Sequence, residues 1–375
     1  MSSEFIPVCE PSLNGNEIKY VNDAISTGWI SSQGKYVSQF EEMFAEYCDV
    51  KYAVSVCNGT AALHLALVAL GIGKGDEVII PNFTMSSCAF AVCYTGAMPV
   101  FVDARSDTWN INEDEIESKI TIKTKAIMPV HIFGNPCNMD AIRKVAEKHN
   151  LLILEDAAEA HGAEYRGSKV GSMSDVAAFS LYSNKNLTTG EGGLAVTDSE
   201  EVYKNLLYYK NVCFSLDGPR DYRHHDIGFN YRMSNIHAAI GLAQVEKADE
   251  YRSLRIKNSE AYKEYLQNVE GISFPVDQLD SVNVKWMNGI LIDPEKFGRG
   301  SIEIMEMLRE KGIDSRRFFV GMHQQPSLEK YGCTMTGDYS VTEKLTKNGF
   351  YLPSSSNLPS EKIKYISETL ISLKK

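Results

Sequence analysis

From residue 52 to about residue 200, short apolar or β-branched runs alternate with stretches whose apolar positions recur at helical spacing. Residues 52–56, 77–80, 99–102, 126–130, 151–154, 176–181 and 194–196 read as seven strands. Helical patterns such as residues 61–70, closed by Gly71, and residues 139–149 lie between them. Strands joined by helices need crossovers, which are right-handed and give a mainly parallel sheet covered on both faces. Ligands of such sheets bind beyond the carboxyl ends of the strands. After Ser234 the pattern changes: residues 235–267 read as one long helix linking two domains. Beyond Gly271, a strand at 288–292 and an amphipathic helix at 301–311 suggest a small α+β domain.

A chain of 375 residues has room for two domains and a large core. With 43% apolar and 23% charged residues it has ordinary globular composition. No stretch approaches the roughly 18 apolar residues of a membrane span, so a soluble protein without a membrane partner is expected. Residues 1–7 lack a basic region followed by an apolar run, which argues against a secretory signal. The eight cysteines form no C-x-x-C pair and read as reduced thiols in a cytoplasm. Cys137 with His131, or Cys213 with His224 and His225, lacks zinc-ligand spacing, so no metal is expected. The net charge of −11 argues against a nucleic-acid partner. It leaves room for a small anionic substrate, which a local cluster such as Arg316 and Arg317 can hold.

The candidate chemistry centres on Lys185, in a run from Ala178 to Gly193 that lies between two strands and ends in a glycine-rich turn. Asp156 ends another strand 29 residues earlier. The pair suits pyridoxal 5'-phosphate: a lysine condenses with its aldehyde, and a carboxylate keeps the pyridine nitrogen protonated so that the ring can accept electrons. A third element precedes both. The turn Cys57-Asn58-Gly59-Thr60 leads from a strand into a helix, whose start offers backbone N–H groups, a glycine and a hydroxyl to a phosphate. Taken alone, the same turn also reads as a plain helix cap by Asn58 or Thr60.

Asn58-Gly59-Thr60-Ala61-Ala62-Leu63, Asp76-Glu77-Val78-Ile79-Ile80-Pro81, Glu155-Asp156-Ala157-Ala158-Glu159-Ala160-His161-Gly162, the lysine run with Gly190-Glu191-Gly192-Gly193, and Gly228-Phe229-Asn230-Tyr231-Arg232-Met233-Ser234-Asn235 follow in this order. Together they resemble the sugar aminotransferases of the DegT/DnrJ/EryC1/StrS family, over almost the whole chain. That resemblance implies an α/β, aspartate aminotransferase-like architecture, the pyridoxal-phosphate fold type I. It places a large cofactor-binding domain at residues 1–245 and a small domain at 246–375.

Carried over, the resemblance makes Lys185 the residue that binds the cofactor and moves the proton. Asp156 pairs with the pyridine nitrogen. Gly59, Thr60 and Ser180 hold the phosphate, and Asn230 reaches the phosphate of a neighbouring subunit, so a homodimer with shared sites is expected. Glu159 stands near the phenolic oxygen where many relatives have glutamine, and a glutamate there must share a proton or stay protonated. Met85 occupies the place of the flat group that usually covers the ring; a thioether can pack on a π-face, or Met85 can be a core residue. Trp29 and His323 are candidate substrate contacts, with core tryptophan and domain-interface histidine as the alternatives.

Family likeness further implies L-glutamate as amino donor and a keto-sugar nucleotide as acceptor, for surface polysaccharide biosynthesis. The segments at residues 28–32, 108–111 and 322–326 resemble those of the family's members that aminate a GDP-linked 4-keto-6-deoxy sugar, and that resemblance implies such an acceptor. Two other readings compete: transamination of a small phosphorylated ketone such as dihydroxyacetone phosphate, and a cofactor-binding regulatory protein without turnover. A sugar 3-dehydratase of the same family would carry histidine in place of Lys185.

Overall fold

The computed structural model describes residues 5–217 and 222–375. The seven expected strands, β1 (Tyr52–Val56), β2 (Glu77–Pro81), β3 (Met98–Val102), β4 (Thr124–Ile127), β5 (Leu152–Asp156), β6 (Val176–Ser180) and β7 (Gly193–Thr197), form one sheet. Its order is β1-β7-β6-β5-β4-β2-β3. The ladders from β3 through β2, β4 and β5 to β6 are parallel, and β7 runs antiparallel to both β6 and β1.

Successive strand residues point to opposite faces, and here they feed two separate cores. Val78 and Ile80 pack with Leu63, Leu67 and Ala89 on one side. Ile79 packs with Phe44, Ile142 and Ala239 on the other. The first layer holds α3 (Gly59–Ala69) and α4 (Ser86–Tyr94); the second holds α2 (Lys35–Tyr47), α5 (Met139–His149) and α6 (Asn235–Val245), with α1 (Glu17–Ser26) against α6. Because α3 is apolar nearly all round, it is buried on every side from Ala61 to Leu67. Close packing of α2 on α6 depends on Gly241, where a Cβ would lie 2.8 Å from the Phe40 ring.

The expected single helix over 235–267 is two helices, α6 and α7 (Ala248–Leu266). Lys247, at φ −112° and ψ 7°, breaks the run. No proline or glycine marks the break, so periodicity runs through it. What differs is the packing partner: α6 lies on α1 and α2, whereas α7 lies on α9 (Ser360–Ser372).

A second sheet is built from β8 (Ile272–Ser273), β9 (Asn288–Ile292), β10 (Arg316–Arg317) and β11 (Gly349–Leu352), in the order β8-β9-β11-β10 and antiparallel throughout. It packs on α7, α8 (Ser301–Glu310) and α9 through Leu266, Ile304, Leu308 and Ile366. Specific polar contacts hold this region over the carboxyl ends of the large sheet. Asp103 accepts hydrogen bonds from the Val341 and Thr342 amides and the Thr342 hydroxyl. The buried Asn82 bonds the backbone and ring of His323. Among the described residues no helix is long and apolar enough to cross a membrane.

Candidate active site

A cavity of about 620 Å³ opens at the carboxyl ends of the parallel strands, where such sheets bind ligands. Residues from both sheets line it: Gly59, Thr60, Met85, Asp156, Glu159, Ser180 and Lys185 from the large one, and Trp286, Phe319 and Tyr351 from the region of the small one.

Asp156 is the last residue of β5, so strand alternation turns it away from its neighbour Glu155. Glu155 is committed elsewhere in the interior, to His131 Nε2 at 3.0 Å and the Ser174 hydroxyl at 2.7 Å. The Asp156 carboxylate accepts from the Ala158 amide at 3.0 Å and from Cys88 Sγ at 2.8 Å. Burial raises its pKa, and those two donors and the Lys185 charge pull it back only in part.

Lys185 sits in the turn after β6, its amide bonded to the Tyr182 carbonyl at 2.9 Å. Its Nζ lies 3.5 Å from Glu159 Oε1 and 3.7 Å from the centre of the Trp286 ring. The indole N–H of Trp286 donates to the Asn184 carbonyl at 2.8 Å, which fixes the ring beside the amine. Burial pushes the Glu159 carboxyl up to about 7, against the opposing pull of Lys185 and of the Phe133 amide, which donates at 2.8 Å.

At the other end of the cavity α3 begins. Asn58 caps it by accepting from the Ala61 amide at 2.8 Å, so the plain-cap reading of this turn holds as well. The first N–H groups of a helix have no partner within it and favour an anion. A Cβ on Gly59 would lie 2.6 Å from the Ser180 Cβ, so only glycine lets the helix start approach the end of β6. That approach brings the Ser180 hydroxyl, the Thr60 hydroxyl and the helix N-terminus to one wall.

Three of the expected site residues lie outside this cavity. Trp29 is 57% exposed, and its carbonyl accepts from Asn235. His323 is held by Asn82 and Glu343 and stacks on Tyr339 at 4.6 Å. Asn230 is exposed, bridged to Asn211. Met85 lines the cavity and is 53% exposed. Sequence reading passed over two residues at this site: His64, bonded to the Tyr231 hydroxyl at 3.0 Å, lines the cavity, and Cys88 touches Asp156 from behind its wall. His64 follows Thr60 by four residues in α3, one helical turn on, which was a local signal for it; Cys88 carried none. For Trp286, far away in sequence, there was none.

Amine, buried acid and anion cradle surround a single cavity, and they complement the aldehyde, ring nitrogen and phosphate of pyridoxal 5'-phosphate. The close Gly59–Ser180 approach, which any larger residue would block, fits a phosphate seat. The fold and this site thus define a pyridoxal-phosphate enzyme of fold type I. Residues 11–371 match the model of the DegT/DnrJ/EryC1/StrS aminotransferase family, and the chain belongs to that family. It is 42% identical to the GDP-perosamine synthase of Escherichia coli O157:H7, over 98% of each chain. DesV of S. venezuelae, solved with a ketimine intermediate, superposes with a TM-score of 0.92 at 31% identity, covering 99% of this chain and 98% of that one. A GDP-4-keto-6-deoxymannose-3-dehydratase variant with bound GDP-perosamine gives a TM-score of 0.92 at 26% identity, covering 97% of this chain and all of the other.

Proposed function

We propose that this aminotransferase carries the amino group of L-glutamate to the keto carbon of a GDP-linked 4-keto-6-deoxy sugar, as a perosamine synthase does, in the cytoplasm and for surface polysaccharide assembly. The observation that carries this reading is end-to-end likeness to GDP-perosamine synthase, with a lysine lining the cavity. The eight cysteines are unpaired, in keeping with a reducing compartment.

When bound, pyridoxal phosphate supplies an electron sink for the carbanion that forms next to nitrogen. The chain does the rest. Lys185 Nζ takes the proton from the carbon that bears nitrogen and returns it to its new position. Asp156 Oδ2 and Oδ1, held by Cys88 and Ala158, present a fixed negative charge to the ring nitrogen. Glu159, poised near neutrality, holds or releases a proton beside the lysine. Gly59, Thr60 and Ser180 would seat the phosphate, while Trp286, Phe319 and Tyr351 line the cavity from the side of the second sheet.

A homodimer belongs to this reading. Large apolar side chains stay exposed at the cavity rim, Met85 and Tyr94 among them, and Asn230 is exposed outside its own cavity. A second copy would cover the rim and receive Asn230 as a phosphate ligand. In that assembly Trp29 and His323 remain candidates for acceptor contacts.

The test is a glutamate-dependent assay on GDP-, dTDP- and UDP-linked 4-keto-6-deoxy sugars and on dihydroxyacetone phosphate. Turnover confined to the GDP sugar is expected. Preference for the triose phosphate, or no turnover with any acceptor, would overturn the assignment.

A further inference from the structure

Behind the cavity wall, Cys88 and Thr84 continue the Asp156 carboxylate into a buried polar line of three side chains. Thr84, in the loop after β2, places its hydroxyl 3.1 Å from Cys88 Sγ, and Cys88, in α4, places the same sulfur 2.8 Å from Asp156 Oδ2. Thr84 lies just before α4 and Cys88 in its first turn. All three are excluded from solvent, with Cys88 fully so.

Donor and acceptor roles along the line follow from valence. An ionised carboxylate only accepts, so the single S–H proton goes to Asp156; the sulfur is then left as an acceptor, and the Thr84 O–H points to it. We propose that Cys88 is a positioning residue for Asp156, its thiol fixing the carboxylate that faces the cofactor's ring nitrogen, with Thr84 orienting the thiol. Among the described residues the buried carboxylate accepts from this thiol and from the Ala158 amide, so each donor matters to its charge and its direction. Burial and the Asp156 charge both raise the thiol pKa, which keeps the proton on sulfur and the line intact. The same enclosure makes Cys88 a poor nucleophile, so its use lies in the hydrogen bond and not in thiol chemistry.

This inference rests on reading Asp156 as the partner of the ring nitrogen, and the experiment separates the two. Apoprotein carrying Cys88→Ala, Cys88→Ser, Thr84→Val or Asp156→Asn is titrated with pyridoxal 5'-phosphate, and the visible band of each complex is followed against pH. Cys88→Ala should weaken cofactor affinity about tenfold and shift the pH profile of the band, the loss expected for one hydrogen bond to a charged group. Cys88→Ser, which keeps a donor, should recover most of the affinity and the wild-type profile. Thr84→Val should move both readouts in the same direction as Cys88→Ala, by about threefold, and it stands in if Cys88→Ala does not fold. Wild-type affinity and profile in Cys88→Ala, or in Thr84→Val where that variant stands in, alongside a large loss in Asp156→Asn, would overturn the role of Cys88 and leave that of Asp156. No loss in Asp156→Asn either would overturn both.

Discussion

Lys185 Nζ and Glu159 Oε1 face each other at 3.5 Å inside the protein, which sets an amine beside a buried carboxyl. Burial holds the Glu159 carboxyl at about 7, above its ordinary 4.5, in spite of the lysine. Between those two values the folded chain keeps a proton that the unfolded chain has released, so stability falls as pH rises from about 4.5 to 7 and is level beyond. The full difference is about 3 kcal/mol. Glu159→Gln removes the titration. Apoprotein of this variant should lose less thermal stability than wild type between pH 5 and pH 8, read from melting temperatures in matched buffers. Equal losses would place the Glu159 proton elsewhere.

Lys185→Ala should abolish turnover, by at least about a thousandfold, because it removes both the cofactor's attachment point and the group that moves the proton. The fold should survive, since the side chain's interactions are the Glu159 ion pair and the Trp286 ring. Rates within tenfold of wild type, from protein with a native melting temperature, would remove Lys185 from the mechanism.

How far this site could be read in the sequence depended on whether its parts were local. Asn58 to Leu63, Asp156 and Lys185 lie at strand ends next to helix starts or glycine turns, and each carries its own pattern. All of them line the cavity apart from Ala62, which faces the core. Strand positions were legible for the same reason: buried parallel strands are short continuous apolar runs. The break at Lys247 was not, because it comes from two helices choosing different neighbours and leaves no mark in composition. Trp286 and Tyr351 reach the cavity only through tertiary packing of the second sheet. Cys88 looked like one more apolar position until the fold set Asp156 beside it.

His161 is buried between Phe44 and Phe179. Burial lowers its pKa from 6.5 to about 3, so the fold holds it neutral where the unfolded chain binds a proton. Stability from this group is complete above pH 6.5 and is lost as pH falls towards 3, by about 1.4 kcal/mol per unit. His161→Leu, which cannot titrate, should therefore flatten the drop in melting temperature between pH 7 and pH 4.5. An unchanged drop would show that acid sensitivity arises elsewhere.

Asn230 bears on assembly. It lies in the segment that leads into α6, is exposed, and stands outside the cavity of its own chain. If it completes the phosphate seat of a second copy, each site of an isologous dimer draws Lys185 from one chain and Asn230 from the other. Asn230→Ala alone should weaken cofactor binding about tenfold, the loss expected for one hydrogen bond to a charged phosphate. Mixing Asn230→Ala with Lys185→Ala chains should then create one site that is wild type at both positions and one that carries both substitutions. At a cofactor concentration that loads wild-type sites but leaves Asn230→Ala homodimers largely empty, activity should recover to about a quarter of the wild-type level, given random pairing, in which half of the dimers are mixed and each has one intact site. Sedimentation at assay concentration should show dimers or larger species. Active monomers, or no recovery in the mixture, would rule out a site shared through Asn230.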